Sequence, residues 1–449
     1  MNQINKSKIM KLINKNVFLI LGIVASFTTA FSQVEELEEY RRSSISIVLI
    51  KSDDFPERQT IVDAFNLFTE SDFPDKYNNF QIPGSLFDPK TIETTDEIKN
   101  IVYERLKTTP EAIASMSSGM LKDQAVQNIN DNINFEKLYK YFEETNYANE
   151  LMQKWFPYDD KAKMSQQFVV DSLAAWGSDI TDVKNVQSEA GSYKAMLTTN
   201  AAYDLVPKTY VLAYNLKFYS NEPIAGAIRD VAYEVAAGLG NPLLTTVGLK
   251  AADKIYEKTS IGYSVLAYAY LYQLDIDKNK IDDFFENEYE RESKELKTKF
   301  NLKWIGSESA TALVTFSLKK EDKNRTESDI IFRATRRTID NVFSKIQKKY
   351  DQFQPVFPLA SIKPFSAYVG LKEGINKKSK FEVYSKKVDK KTGEVVLDVV
   401  GELKVGKNEI WDNRFDFVAT KNRKNNAGKT FLSGKIKNAV PGLLIKLKK

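Results

Sequence analysis

The chain contains no cysteine and no histidine. Without cysteine there is no disulfide, no thiolate nucleophile and no lipid-bearing residue at a cleavage site. The fold must be held by core packing alone. Without histidine, Ser-His-Asp and Cys-His catalysis, imidazole proton transfer and histidine metal ligands are all excluded. Zinc loses both of its usual ligand types. An enzyme built here would have to work with Asp, Glu, Lys, Arg, Tyr or Ser. Long apolar runs are also scarce. The longest, Val17 to Ala30, has 14 residues, short of the roughly 20 that a bilayer-spanning helix needs.

What surrounds that run gives it a meaning. Lys6, Lys8, Lys11 and Lys15 precede it, and no acidic residue occurs before Glu35. Ala30 and Ser32, small residues two apart, close it. A charged n-region, an apolar h-region and a small-x-small site read as a signal peptide over residues 1–32. Export to the periplasm, the cell surface or the medium is the expectation, with no membrane span after cleavage.

Charge is unevenly spread. Residues 361–449 hold 21 Lys plus Arg against 9 Asp plus Glu, whereas residues 33–360 hold 40 basic and 51 acidic residues. An acidic body joined to a basic module is the natural reading. The proline cluster "QPVFPLASIKPF" marks the boundary, because proline cannot continue a preceding helix. We therefore expect a body over 33–355 and a basic module over 356–449.

Strands are expected where apolar residues alternate: Ile45, Ile47 and Leu49; Tyr210 to Phe218; Tyr268 to Ile276; Ala312 to Leu318. Helical stretches fall at 57–69, 96–107, 110–129, 134–154, 161–176 and 224–257. A further helix runs from Asp329 to about Gln352, with Ile331, Thr335, Ile339, Val342 and Ile346 on one face and a Thr326–Asp329 capping box at its start. Well-separated strands with long helical insertions give an α+β class, a mixed sheet with a helical layer. In the basic module, "FEVYSKKVDKKTGEVVLDVVGELKV" reads as a hairpin turning at Asp389 and Gly393. "IWDNRFDFV", "TFLSGKI" and "LLIKL" add strands, which makes a small SH3- or OB-like β-barrel.

Candidate sites are few. Asp275, Asp277, Asn279, Asp283 and Glu286 fall at positions 1, 3, 5, 9 and 12 of an EF-hand loop, which would suit calcium. The sixth position is Lys280 instead of glycine, and a strand precedes it. The competing reading is a strand end, a polar turn and an acid-rich helix start, so no metal or cofactor is expected. Tyr268, Tyr270 and Tyr272, with Tyr210 and Tyr214, could stack sugar rings or simply pack a core. "AAGLGN", around Gly238 and Gly240, lacks the third glycine and the Lys-Ser/Thr of a phosphate loop and reads as a helix end. The lysine-rich module could dock on an acidic protein or an acidic glycan. Export argues against nucleic acid. Carboxylates abound but no pair stands out, so a glycoside hydrolase is permitted without support. No catalytic residue is assigned.

The stretches "YRRSSISIVLIKSDDFPE", "FPDKYNNF", "GYSVLAYAYLYQLDI" and "IKPFSAYVGLKEGINKKSKFEVYSKK…IWDNRFDF" resemble an uncharacterised family of exported envelope proteins from Bacteroidetes-type bacteria. The resemblance covers most of the mature chain. It implies an envelope or secreted protein and supplies no site residues. Together these readings lead to a non-enzymatic structural, assembly or adaptor protein of the cell envelope, with one or more envelope protein partners. A glycan- or polyanion-binding protein is the alternative, followed by a carboxylate-based hydrolase.

Overall fold

A computed structural model describes residues 43–115, 119–166, 205–223, 262–315, 326–388, 395–407, 410–415, 428–440 and 443–448, with isolated positions between 168 and 260. The leader reading of residues 1–32, the Gly238–Gly240 turn and the Asp389–Gly393 turn lie outside the described residues.

The body is built on one mixed sheet. Its strands are β1 (Ser44–Ile50), β2 (Asn78–Asn79), β3 (Leu86–Phe87), β4 (Thr209–Ser220), β5 (Gly262–Leu274) and β6 (Leu302–Thr315). The order is β2-β1-β4-β5-β6, with β3 also on β1. β2, β3 and β4 run parallel to β1, while β4, β5 and β6 form an antiparallel meander. The helices are α1 (Arg58–Glu70), α2 (Asp96–Leu106), α3 (Pro110–Ala114), α4 (Gly119–Glu144), α5 (Tyr147–Trp155), α6 (Lys278–Phe284) and α7 (Glu327–Lys349).

Helices cover both faces of the sheet. Leu138 and Phe142 of α4, Tyr147 to Trp155 of α5 and Phe284 of α6 pack on Val48, Ile50, Val211 and Tyr272. Phe65 and Phe68 of α1 and Ile339, Val342 and Ile346 of α7 pack on Ile45, Ile47, Tyr214 and Leu271. Each buried aliphatic side chain contributes about 1.5–3 kcal/mol before entropy is counted. This sandwich corrects one expectation. The alternation in β1 suggests one buried face, yet all seven of its residues are buried, because a strand that pairs in parallel between two helical layers has no wet face. Its small polar residues fit because they are satisfied: Ser46 shares a hydrogen bond with the Tyr147 hydroxyl at 2.9 Å. A second correction concerns helix breaks. The chain stays helical from 119 to 144 and breaks at Asn146, whose φ of 51° suits asparagine better than most residues.

Both sheet edges are blunted, as lone strand edges usually are. On the β1 side, the Gln81 side-chain amide fills the gap between β2 and β3, accepting from the Ile47 N–H and donating to the Ile47 carbonyl. On the β6 side, Lys345 donates to the Ser309 carbonyl at 2.7 Å and the Tyr350 hydroxyl to the Ser307 carbonyl at 3.0 Å.

The basic module is a small closed barrel. It comprises β7 (Phe357–Ile362), β8 (Phe365–Ala367), β9 (Lys380–Val388), β10 (Val395–Val405), β11 (Thr430–Gly434) and β12 (Leu444–Lys448), all antiparallel, in the order β10-β11-β8-β7-β12-β9. Phe357, Leu359, Phe381, Val383, Leu403 and Ile445 fill it. Two details differ from expectation. The proline segment contributes β7 and β8 instead of serving only as a connector. Residues 411–415 form a loop instead of a strand, because their polar groups face the body, as described next. Among the described residues no helix is long and apolar enough to cross a membrane.

Candidate functional site

The most unusual chemistry lies where the barrel meets α7. The helix begins at a Thr326–Asp329 capping box and turns its apolar stripe to the sheet. On another face, Arg336, Asp340, Ser344 and Gln347 succeed each other at four- and three-residue steps, so their side chains line up. That stripe faces the barrel, and Arg336, Asp340 and Gln347 are buried.

Arg336 is the centre of the cluster. Its guanidinium is fully buried, ion-paired with Asp72 and set against the rings of Phe68 and Phe415 at 4.8 and 5.0 Å. Asp72, just beyond α1, also receives Lys372 from the barrel at 2.8 Å. Asp340, only 3 % exposed, accepts the Phe415 N–H at 2.9 Å. Gln347 donates to the Lys372 carbonyl at 3.2 Å. Beside them Glu373, also buried, accepts the Gly370 N–H at 2.5 Å and the Asn413 amide at 3.0 Å. At Gly374, φ is 73°, and an added Cβ would lie 2.7 Å from the Ser344 hydroxyl on α7. The barrel turn therefore sits directly on the helix.

Burial pushes the Asp340 carboxyl up, against the pull of Arg336, Lys372 and the Phe415 N–H. Burial also raises Glu373, against the Gly370 N–H and Asn413. Raised carboxylates in a cleft are a common sign of catalysis. Here the space beside them, lined by Phe68, Tyr77, Phe343 and Lys372 among others, is about 260 Å³ with its open mouth included. The carboxylates are engaged by backbone and amide donors. The arrangement joins the barrel to α7 and to the end of α1.

None of these residues was singled out in the sequence. A stripe of Arg, Asp, Ser and Gln on a helix reads as a solvent face, and only the barrel laid over it makes it a core. The residues that were singled out lie elsewhere. Asp277 caps α6 by accepting the Lys280 N–H at 2.9 Å, Asp275 pairs with the Lys280 ammonium at 2.9 Å, and Asp283 accepts from Asn287 at 2.7 Å. The stretch from Asp275 to Glu286 is thus a strand end and a capped helix, and among the described residues no acidic group converges on a cation. Tyr210, Tyr214 and Tyr272 are fully buried in the core, while Tyr268 and Tyr270 are half-buried. No protein-family model matches this chain, and no curated protein matches it.

Proposed function

We propose that this chain is an exported, non-enzymatic adaptor or assembly component of the bacterial cell envelope, acting through protein contacts with body and barrel as one rigid piece. The observation that carries this reading is the buried junction around Arg336. Interfaces between domains of one chain are usually modest and polar, and relative motion is the default. Burying Arg336 and Asp340 costs several kcal/mol of hydration per charge; the Asp72 pair and the Phe415 N–H offset part of it in the docked geometry, while Arg336 Nε and Nη1 have no hydrogen-bond partner among the described residues. A chain that fixes its modules in this way presents surfaces from both at a set spacing, as an adaptor requires.

The outer barrel face suits an acidic partner. Lys448, Lys380 and Lys404 stand side by side across β12, β9 and β10. Like charges in register repel, and Glu402 relieves only part of this, pairing with Lys448 at 2.7 Å and Lys380 at 3.4 Å. The same row favours a second reading, an acidic glycan. The test is gentle recovery of the native chain from the cell envelope, read by mass spectrometry, against Lys380→Glu/Lys404→Glu. A stoichiometric protein partner lost on charge reversal supports the adaptor. No partner with either form sinks it, and retention on heparin that is lost on charge reversal would favour the polyanion reading instead.

A further inference from the structure

A second surface lies on the opposite face of the body. Trp304 is 54 % exposed and Tyr139 is 38 % exposed. Between them lies Phe135, whose ring meets Trp304 edge-on at 5.9 Å and Tyr270 at 5.0 Å. Phe135 and Tyr139 are four residues apart on α4 and so share a face. The three rings form one strip from helix to sheet.

The placement of Trp304 depends on an irregularity in β6. The register with β5 shifts between Leu271 and Tyr272, so that Gly306 and Trp304 face successive residues and Ile305 is extra. Such a bulge reverses which side chains face which way. Leu302 and Trp304 face α4, whereas Glu308 and Ala310, of the same parity, face α7. The bulge is held where Gly306 sits beneath Tyr350: an added Cβ would lie 2.8 Å from the ring carbon Cζ, at a φ of 153°. A regular strand would turn an indole at 304 to the same side as Ala310.

The rim of the strip is polar. Arg105 lies over the Phe135 ring at 5.4 Å and pairs with Glu136. Asp275 pairs with Lys280, and burial raises the Tyr139 hydroxyl, with the Glu143, Glu136 and Asp275 carboxylates adding to the rise. At the root of the strip, Tyr272 stands opposite Trp304 in register and against Phe135 at 6.3 Å. Its hydroxyl is buried and has no hydrogen-bond partner among the described residues. A buried hydroxyl left unpaired is costly, and a ligand hydroxyl brought down between the rings would supply the partner.

We propose that Trp304, Phe135 and Tyr139 form a binding strip for a neutral pyranose oligosaccharide. The apolar face of a sugar ring covers an exposed indole, and its hydroxyls meet fixed donors and acceptors at the rim. With Glu136, Glu143 and Asp275 around Tyr139 the rim offers no net attraction to a polyanion, which separates this surface from the lysine row on the barrel. The strip is independent of the adaptor reading, and either can fail alone.

The experiment is isothermal titration of the full chain with three neutral hexasaccharides: cellohexaose, maltohexaose and chitohexaose. One of them should bind and shift tryptophan emission. Trp304→Ala should weaken that binding about tenfold or more, the loss expected of a central aromatic anchor, and Tyr139→Ala should weaken it by less. Trp304 is 54 % and Tyr139 38 % exposed, so both variants should stay folded with melting temperatures within a few degrees of the parent's. Should Trp304→Ala misfold, Tyr139→Ala and the emission shift decide. The proposal is overturned if no neutral hexasaccharide binds, if binding is indifferent to both substitutions, or if only heparin binds. Loss of a protein partner on Trp304→Ala without any sugar binding would overturn it as well.

Discussion

Arg336→Met is the most informative perturbation of the junction. Methionine keeps most of the aliphatic volume against Phe68 and Phe415 and removes the charge. Asp72 is not orphaned, because Lys372 remains at 2.8 Å and its own side chain is 34 % exposed. Asp340 loses the stronger of its two cationic neighbours: it stays buried, accepting the Phe415 N–H, with Lys372 as the remaining positive charge. Removing one partner of a buried charge pair costs about 3–5 kcal/mol, and the survival of the Asp72 pair places this case near 3 kcal/mol. Asp340→Asn keeps an oxygen for the Phe415 N–H and removes the buried charge, so alone it should change stability by about 1 kcal/mol or less. In the double variant neither charge remains, and the penalty should fall below the sum of the two by about 1–3 kcal/mol. Urea denaturation followed by fluorescence measures all four proteins, with the midpoint compared at constant slope. A penalty below about 1 kcal/mol for Arg336→Met, or strict additivity in the cycle, would refute the reasoning.

Three further outcomes are expected. Because Asp340 and Glu373 are raised, the folded state binds more protons than the unfolded one, so their contribution is fully present below the ordinary carboxylate range and is lost as pH rises through their raised folded values. Denaturation midpoints of Asp340→Asn/Glu373→Gln, measured against the parent from pH 4 to 8, should therefore gain on it as pH increases, and a gap that does not change with pH contradicts the assignment. Gly374→Ala should lower stability by about 1–3 kcal/mol, since it meets both a left-handed backbone and the Ser344 hydroxyl; a melting temperature equal to the parent's would show that the barrel turn does not sit tightly on α7. Calcium at millimolar concentration, or its removal with a chelator, should leave the melting temperature unchanged, because Asp275 and Asp277 are committed to Lys280 and the α6 cap; a rise of several degrees on adding calcium would reinstate the EF-hand reading.

The periodic parts of this chain were readable and the contextual parts were not. The Thr326–Asp329 box and the stripe from Ile331 to Ile346 define α7 from local chemistry alone, and the alternating runs define β4 and β5 but only the C-terminal end of β6, whose start at Leu302 lies ten residues before the expected Ala312. The small basic barrel follows from short strands crowded into one charged segment. The strand pair on either side of Pro364 was hidden because proline is a poor ladder donor and reads as punctuation. The full burial of β1 was hidden because Ser44 and Ser46 imitate a wet face. The bulge at Ile305 was invisible, since a single extra residue leaves no mark until the register with β5 is known. The junction was hidden for the deepest reason: whether Arg336 and Asp340 meet water or a second module depends on the whole fold.

The position of β1 has a consequence for the order in which the protein can assemble. Its longest pairing is with β4, which begins at Thr209, and the barrel likewise closes only when β12, ending at Lys448, joins β7 and β9. Contacts so distant in sequence form slowly, because the intervening chain must be gathered before any of them is rewarded. A chain fed out from its N-terminus would hold β1 by only the two-residue pairings to β2 and β3 until β4 had followed. The topology thus postpones the locking of Arg336 until the barrel has formed.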